Sequence, residues 1–198
     1  ASITKLMTAL LVLEALDRDE IALTDSVQIS PRAAAMKGSQ ALLDASAVYP
    51  LEDLLRTTIM ASANDSAVAL SEYIAGSEEN FVDRMNRRAA ELGMTNTNYV
   101  NCTGYPQSGQ YTTARDVCRL CCEIAKHPRY NQYASVWIDK LTHPGGRVTD
   151  LTNTNRLVRF YEGCDGYKTG STDAAKYCLA ATAEKNGMRL VAIVLGTP

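Results

Sequence analysis

Apolar residues crowd the start of the chain. Leu6, Met7, Leu10, Leu11, Val12, Leu13 and Leu16 predict a buried helix over residues 4–16, ended by Leu16-Asp17-Arg18-Asp19. Leu23-Thr24-Asp25-Ser26 reads as a turn, and Val27-Gln28-Ile29-Ser30 alternates as a short strand does. Pro31 to Asp44 reads as loop with a helical turn. Pro50 opens a helix over about 51–60, with Leu51, Leu54, Leu55 and Ile59 on one face. After a break at Ala61-Ser62-Ala63-Asn64-Asp65, the residues Ala67, Val68, Leu70, Tyr73 and Ile74 form a further helix, closed by Gly76. Ser77-Glu78-Glu79 begins the next, which carries Phe81, Met85 and Ala89 and closes at Gly93. Thr95 to Thr113 is rich in Asn, Thr and Gly and predicts a long loop. Thr112 or Thr113 then caps a helix over about 114–126, stopped by His127-Pro128.

Beyond that point the pattern changes to strands. Ser135-Val136-Trp137-Ile138-Asp139 reads as one. Tyr167 to Thr172 follows a Gly163-Cys164-Asp165-Gly166 turn, and the apolar runs 176–184 and 188–195 flank Lys185-Asn186-Gly187, a hairpin signal. A single α+β domain over 1–198 is predicted, mainly helical over about 17–130 and closed by an antiparallel sheet over about 131–198.

Composition narrows the function. The chain has 198 residues, 46% hydrophobic and 21% charged, with net charge −2, so no basic surface recommends nucleic acid as a partner. No apolar run approaches the roughly 20 residues of a membrane span. Six cysteines suggest no disulfide framework. Cys118 and Cys122, spaced i,i+4, predict packing into a core in preference to metal or redox use. His127 and His143 each precede a proline, and no G-x-S-x-G elbow, P-loop or H-E-x-x-H is present. No metal and no cofactor is expected.

The chemistry lies in three short motifs. Ser2-Ile3-Thr4-Lys5 is S-x-x-K at a helix start, with serine and lysine on one face. Orphan backbone N–H groups and the positive dipole end there favour a developing anion. Apolar neighbours desolvate Lys5, which lowers an amine's pKa and lets it take a serine proton. Ser62-Ala63-Asn64 is S-x-N between two helices: a second hydroxyl to relay a proton and an amide to hold a substrate carbonyl. Lys168-Thr169-Gly170 is K-T-G at the start of the closing sheet: a cation and a hydroxyl for a carboxylate, and a glycine admitting a substrate backbone. Each motif has a plain structural alternative. Ser2 reads equally as an N-cap and Lys5 as a surface lysine, Ser62 or Asn64 as the cap of the following helix, and Lys168 as an edge-strand charge. The ordered set is far more specific than its members.

Taken with the longer stretches Ala1 to Ala9, Gly38-Ser39-Gln40, Leu54-Leu55, Met60 to Asp65, Phe81 to Asn86, Glu91 to Met94, Tyr111 to Ala114, Asn153 to Leu157 and Asp165 to Gly170, the sequence resembles the low-molecular-mass penicillin-binding proteins. These are the serine D-alanyl-D-alanine carboxypeptidases of peptidase family S11. The resemblance implies the penicillin-binding protein/serine β-lactamase-like fold, a sheet flanked by helices with an all-helical region. It implies removal of the terminal D-Ala from peptidoglycan stem peptides, outside the cytoplasmic membrane, with β-lactam antibiotics as covalent inhibitors. Ser2 would be the acylated nucleophile, Lys5 the base and Ser62 the relay. Asn64 would bind the substrate amide, and Lys168 and Thr169 the terminal carboxylate. The N–H groups of Ser2 and Ser171 would form the oxyanion hole, and Arg156 is a weaker carboxylate-binding candidate. Lys168, a like charge, would further depress the pKa of Lys5.

Against the family pattern, the chain is expected to be trimmed at both ends, without the strands that precede S-x-x-K, so that the sheet is incomplete. The family's C-terminal domain and membrane anchor also lie outside it. Three rivals share some of the evidence. A β-lactamase needs a fast deacylation base such as the class A glutamate, for which no convincing equivalent lies between the second and third motifs. A DD-endopeptidase has the same motifs, and the sequence does not separate the two. A non-catalytic peptidoglycan-binding relative has no need of a nucleophile paired with a base.

Overall fold

The computed structural model describes residues 1–198. The chain enters through a 3-10 turn, Ser2–Thr4, that runs into helix α1, Lys5–Asp17. Ten of its residues are buried, including Leu6, Leu10 and Leu13, because apolar side chains leave it no solvent face. Around it lie β1 (Ser26–Gln28), α2 (Pro31–Ala34), β2 (Val48–Pro50), α3 (Leu51–Met60), α4 (Asn64–Ala75), α5 (Glu78–Glu91) and α6 (Ala114–Ile124). Then follow α7 (Pro128–Ala134), β3 (Ile138–Thr142), β4 (Val148–Thr152) and α8 (Leu157–Phe160). The strands β5 (Cys164–Thr172), β6 (Lys176–Lys185) and β7 (Met188–Thr197) complete the chain. The fold is α+β. One hydrophobic core joins α1, α3, α4, α5 and α6 to Tyr167, Cys178 and Ala180 of the sheet.

Local chemistry explains the boundaries. Ser30, Ser77 and Thr113 cap α2, α5 and α6 by accepting the N–H of Ala33, Asn80 and Asp116. Gly76 ends α4 at φ 78°. Strands β5, β6 and β7 form an antiparallel sheet in that order, and Asn186 and Gly187 turn the last hairpin with positive φ at both positions, as a type I′ turn requires.

Several expectations shift. Pro128 stops α6 but also supplies the first residue of α7, a role its fixed φ and missing N–H suit. The strand expected at 135–139 runs instead from Ile138 to Thr142 and pairs with β4, which the sequence did not announce. The short strand expected at Val27 to Ser30 is β1, one residue earlier at its start, and it pairs with β2, which the sequence did not announce. On α6 the buried cysteine is Cys121, beside Val117, Leu120 and Ile124. Cys118 is half-buried and Cys122 exposed, so the i,i+4 pair faces outward. One sheet face packs on the helices through Val191, Ile193 and Leu195, whereas Leu190 and Val194 on the other are exposed. No helix is long and apolar enough to cross a membrane.

Candidate active site

The three motifs meet at one cleft of about 580 Å³, lined by Ser2, Ser39, Ser62, Thr154, Asn155, Arg156, Thr169, Gly170 and Ser171 among others. Lys5, Asn64 and Lys168 are buried behind this lining, the two lysines only 1% exposed. A larger groove of about 690 Å³ runs between α6 and β7 past Cys118 and Cys122. It holds no nucleophile beside a base: burial pushes the Cys122 thiol up, which opposes thiolate formation.

Lys5 is the hub. Its Nζ lies 3.1 Å from Ser2 Oγ and donates to Asn64 Oδ1 at 2.6 Å and to the Thr103 carbonyl at 2.7 Å. Three partners saturate an ammonium group. Burial lowers its pKa to about 7, against smaller opposing effects of Cys102 and Asp65. In the neutral amine one lone pair is free, and Ser2 O–H is placed to donate into it. The backbone near Lys5 is close-packed: at Gly104, φ +82°, an added Cβ would fall 2.0 Å from the Ala1 carbonyl oxygen.

Neither Ser62 nor Asn64 caps α4. Ala63 holds the cap position without a side-chain bond, and Asn64 spends its amide on Lys5 and, through Nδ2, on the Lys37 carbonyl at 2.5 Å. Ser62 sits at φ 63°, a left-handed conformation that a side chain disfavours by about 1–2 kcal/mol, and its side chain lines the cleft.

From β5, Lys168 donates only to its neighbour's carbonyl, Thr169 O, at 3.1 Å. Burial, then the charge of Lys5, holds its pKa well below the usual lysine range. Burial is the largest cause for both lysines, and the repulsion between their charges, expected from the sequence, is a smaller effect beside it. Thr169 Oγ1 donates to Thr154 Oγ1 at 2.7 Å, a partner that sequence reading did not single out. Gly170 also differs from expectation. A Cβ there would lie 2.8 Å from Ser2 N and 3.0 Å from Ile3 N, so the close approach it permits is by the chain's own helix start. Ser171 lines the cleft beside it, and Arg156 lines it with no ion pair inside the chain. No Asp or Glu lines the cleft.

Far along α1, Glu14, Glu123 and His127 bring their ligand atoms within 4.8 Å of one another, but Arg88 bonds both glutamates, so a guanidinium already stands where a cation would.

The sequence model of peptidase family S11, D-alanyl-D-alanine carboxypeptidase, matches residues 1–198. The D-alanyl-D-alanine carboxypeptidase DacF of Bacillus subtilis is 43% identical over 196 residues, 99% of this chain and 50% of that protein. The crystal structure of the D-alanyl-D-alanine carboxypeptidase DacD from Francisella tularensis matches with a TM-score of 0.95 at 30% identity, over 100% of this chain and 59% of that one. Penicillin binding protein 5 from Haemophilus influenzae matches with a TM-score of 0.93 at 34% identity, over 100% and 58%. The chain spans about half the length of the curated relatives it matches.

Proposed function

As the chain belongs to peptidase family S11, the D-alanyl-D-alanine carboxypeptidases, we propose that it carries the acyl-transfer centre of such an enzyme and removes the terminal D-Ala from peptidoglycan stem peptides outside the cytoplasmic membrane. The observation that carries this reading is a buried Lys5 Nζ, 3.1 Å from Ser2 Oγ and shared with Asn64.

In the proposed reaction Ser2 Oγ attacks the carbonyl carbon of the penultimate D-Ala while its proton passes to neutral Lys5. The carbonyl oxygen, now an anion, is held by the N–H groups of Ser2 and Ser171, an interaction worth about 3–4 kcal/mol per donor in such sites. Asn64 holds the substrate amide. The terminal carboxylate docks on Lys168 and Thr169, with Arg156 at the same cleft. That carboxylate favours the charged form of Lys168, opposing the effect of burial. The C–N bond then breaks, the proton leaves Lys5 through Ser62 for the departing amine, and Ser2 is left as an ester. Water hydrolyses the ester and restores the serine. A β-lactam carbonyl enters the same sequence, its ring-opened product staying attached.

Slow release of that adduct is supported by a cleft without a carboxylate to activate water. The test is labelling by a fluorescent penicillin, beside Ser2→Ala, with D-Ala release from a tripeptide ending in D-Ala-D-Ala. A stable adduct on Ser2 and D-Ala release are expected. Rapid turnover of the penicillin without accumulation would mark a β-lactamase. Cleavage of cross-linked but not free stem ends would mark an endopeptidase. Folded protein that never labels would mark a non-catalytic relative.

A further inference from the structure

The segment from Lys37 to Leu43 has neither helix nor strand, yet Ser39 within it lines the cleft. Its position is set by bonds from the residues that follow Ala63. Asn64 N donates to the Ser39 carbonyl at 2.7 Å, and Asn64 Nδ2 to the Lys37 carbonyl. Asp65, 0% exposed, accepts the N–H of Ala41 on Oδ1 at 2.9 Å and of Leu43 on Oδ2 at 3.1 Å. Oδ1 also accepts the N–H of Ser66. Arg147, itself exposed, adds one contact to the Leu42 carbonyl. A buried carboxylate that accepts three backbone N–H groups is strongly held and costly to remove. The same carboxylate lies near Lys5 from α4. Cys102, Lys168 of β5 and the Ala1 amino group also interact electrostatically with Lys5, and His143 does so with Asp65.

We propose that Asp65 is a positioning residue for the serine–lysine pair: its carboxylate fixes the 37–43 wall of the cleft and, through the adjoining Asn64, the placement and charge balance of Lys5. The inference rests on the reading of Ser2 and Lys5 as nucleophile and base. It adds a residue that touches neither substrate nor Ser2 and acts through others.

Asp65→Asn tests it. The substituted amide keeps the shape but turns an NH2 toward an N–H, and it removes the negative charge. Three readouts are taken: hydrogen exchange of the Ala41 and Leu43 amides, an NMR titration of the Lys5 side chain, and the rate of fluorescent penicillin labelling against pH. Exchange at both amides is expected to rise about tenfold or more, the equivalent of one lost hydrogen bond. Lys5 is expected to titrate at lower pH than in the unsubstituted chain, since a neighbouring anion is gone. Labelling is expected to fall on the order of 10- to 100-fold, with its rising limb moved to lower pH. A purely structural role would reduce labelling without moving that limb. Folded Asp65→Asn with unchanged exchange and unchanged Lys5 titration overturns the proposal. If Asp65→Asn does not fold, Asp65→Glu decides. It keeps the charge but displaces the oxygens, so faster exchange at Ala41 and Leu43 with a conserved Lys5 titration supports the proposal, and unchanged exchange overturns it. Exchange and titration need no acylation. Failure of the unsubstituted protein to label would therefore remove the reading of Ser2, while these two measurements still judge Asp65.

Discussion

Lys5 Nζ and Asn64 Oδ1 are 2.6 Å apart across 59 positions of sequence, both buried, and this bond joins the first helix to the α3–α4 junction beside Ser2. Asn64→Ala takes away one of three acceptors around Lys5 and leaves the Lys37 carbonyl without its partner. Labelling of Ser2 is expected to fall on the order of 100-fold, as displacement of about 1 Å does. Stability is expected to fall by about 1–3 kcal/mol from the unsatisfied buried groups. Asn64→Asp has a different signature. A carboxylate against Lys5 raises its pKa, so the rising limb of labelling moves to higher pH. Stopped-time labelling across pH, with urea unfolding for stability, checks both.

The unsubstituted protein has a pH dependence of defined sign. In the proposed reaction Lys5 acts as base when neutral, and burial brings its pKa to about 7. Acylation of Ser2 is therefore expected to rise with pH through about 7. For stability the same shift works through linkage. Between about 7 and the unfolded lysine value of 10.5 the unfolded chain binds a proton that the folded chain does not. The cost of burying Lys5 is thus full below about 7 and is relieved as pH rises through that window. A flat labelling profile from pH 6 to 8 would contradict the assignment of Lys5 as base.

Lys168 is buried with one hydrogen bond, to the carbonyl of its own neighbour. A buried amine with so few partners costs the fold, and in the proposed reaction it meets the substrate carboxylate. Lys168→Met is expected to stabilise the chain by about 0.5–2 kcal/mol, in line with other trade-offs between site residues and stability. The same change is expected to raise the concentration of D-Ala-D-Ala peptide needed for half-maximal rate. Thermal melts and steady-state kinetics measured on one preparation separate the two effects.

How far the sequence revealed this arrangement depends on the kind of signal. Helices α1, α3, α4 and α5 were legible because apolar spacing, Gly76 and the Ser77 cap are local. The last hairpin was legible because Asn186-Gly187 fixes its turn. Ser2, Lys5, Ser62 and Lys168 were legible only as an ordered set, since each alone reads as a cap or a surface charge. What was hidden is what backbone supplies and what distance joins. The Thr103 carbonyl that holds Lys5 has no side-chain signature, and neither have the Lys37 and Ser39 carbonyls beside Asn64. Strand β4 carries an unremarkable V-T-D-L-T and owes its existence to pairing with β3. Cys121 and Cys122 are adjacent, and only the direction α6 presents to the core decides that the first is buried.

Gly170 gives a prediction that separates space from strand propensity. The residue lies in β5 opposite Cys178, where alanine would improve strand propensity over glycine. Its φ is not in the left-handed region, so alanine carries no backbone penalty there. The obstacle is the helix start: an added Cβ would lie 2.8 Å from Ser2 N, 3.0 Å from Ile3 N and 3.1 Å from the Ala1 side chain. Two of these are backbone atoms, which cannot rotate away as the tip of a side chain does. Either β5 or the Ser2–Thr4 turn must move by a few tenths of an ångström. Moving β5 breaks its match to β6, while moving the turn displaces Ser2, whose N–H is one of the two oxyanion donors in the proposed reaction. Overpacking of this kind costs about 1–3 kcal/mol. Losing one oxyanion donor costs on the order of 100- to 1,000-fold in rate. Gly170→Ala is therefore expected to lose both stability and Ser2 acylation, with the rate loss exceeding what the fraction unfolded explains. A variant that acylates at the normal rate once folded would show that β5 yields and the Ser2–Thr4 turn keeps its place, which overturns the predicted loss of rate.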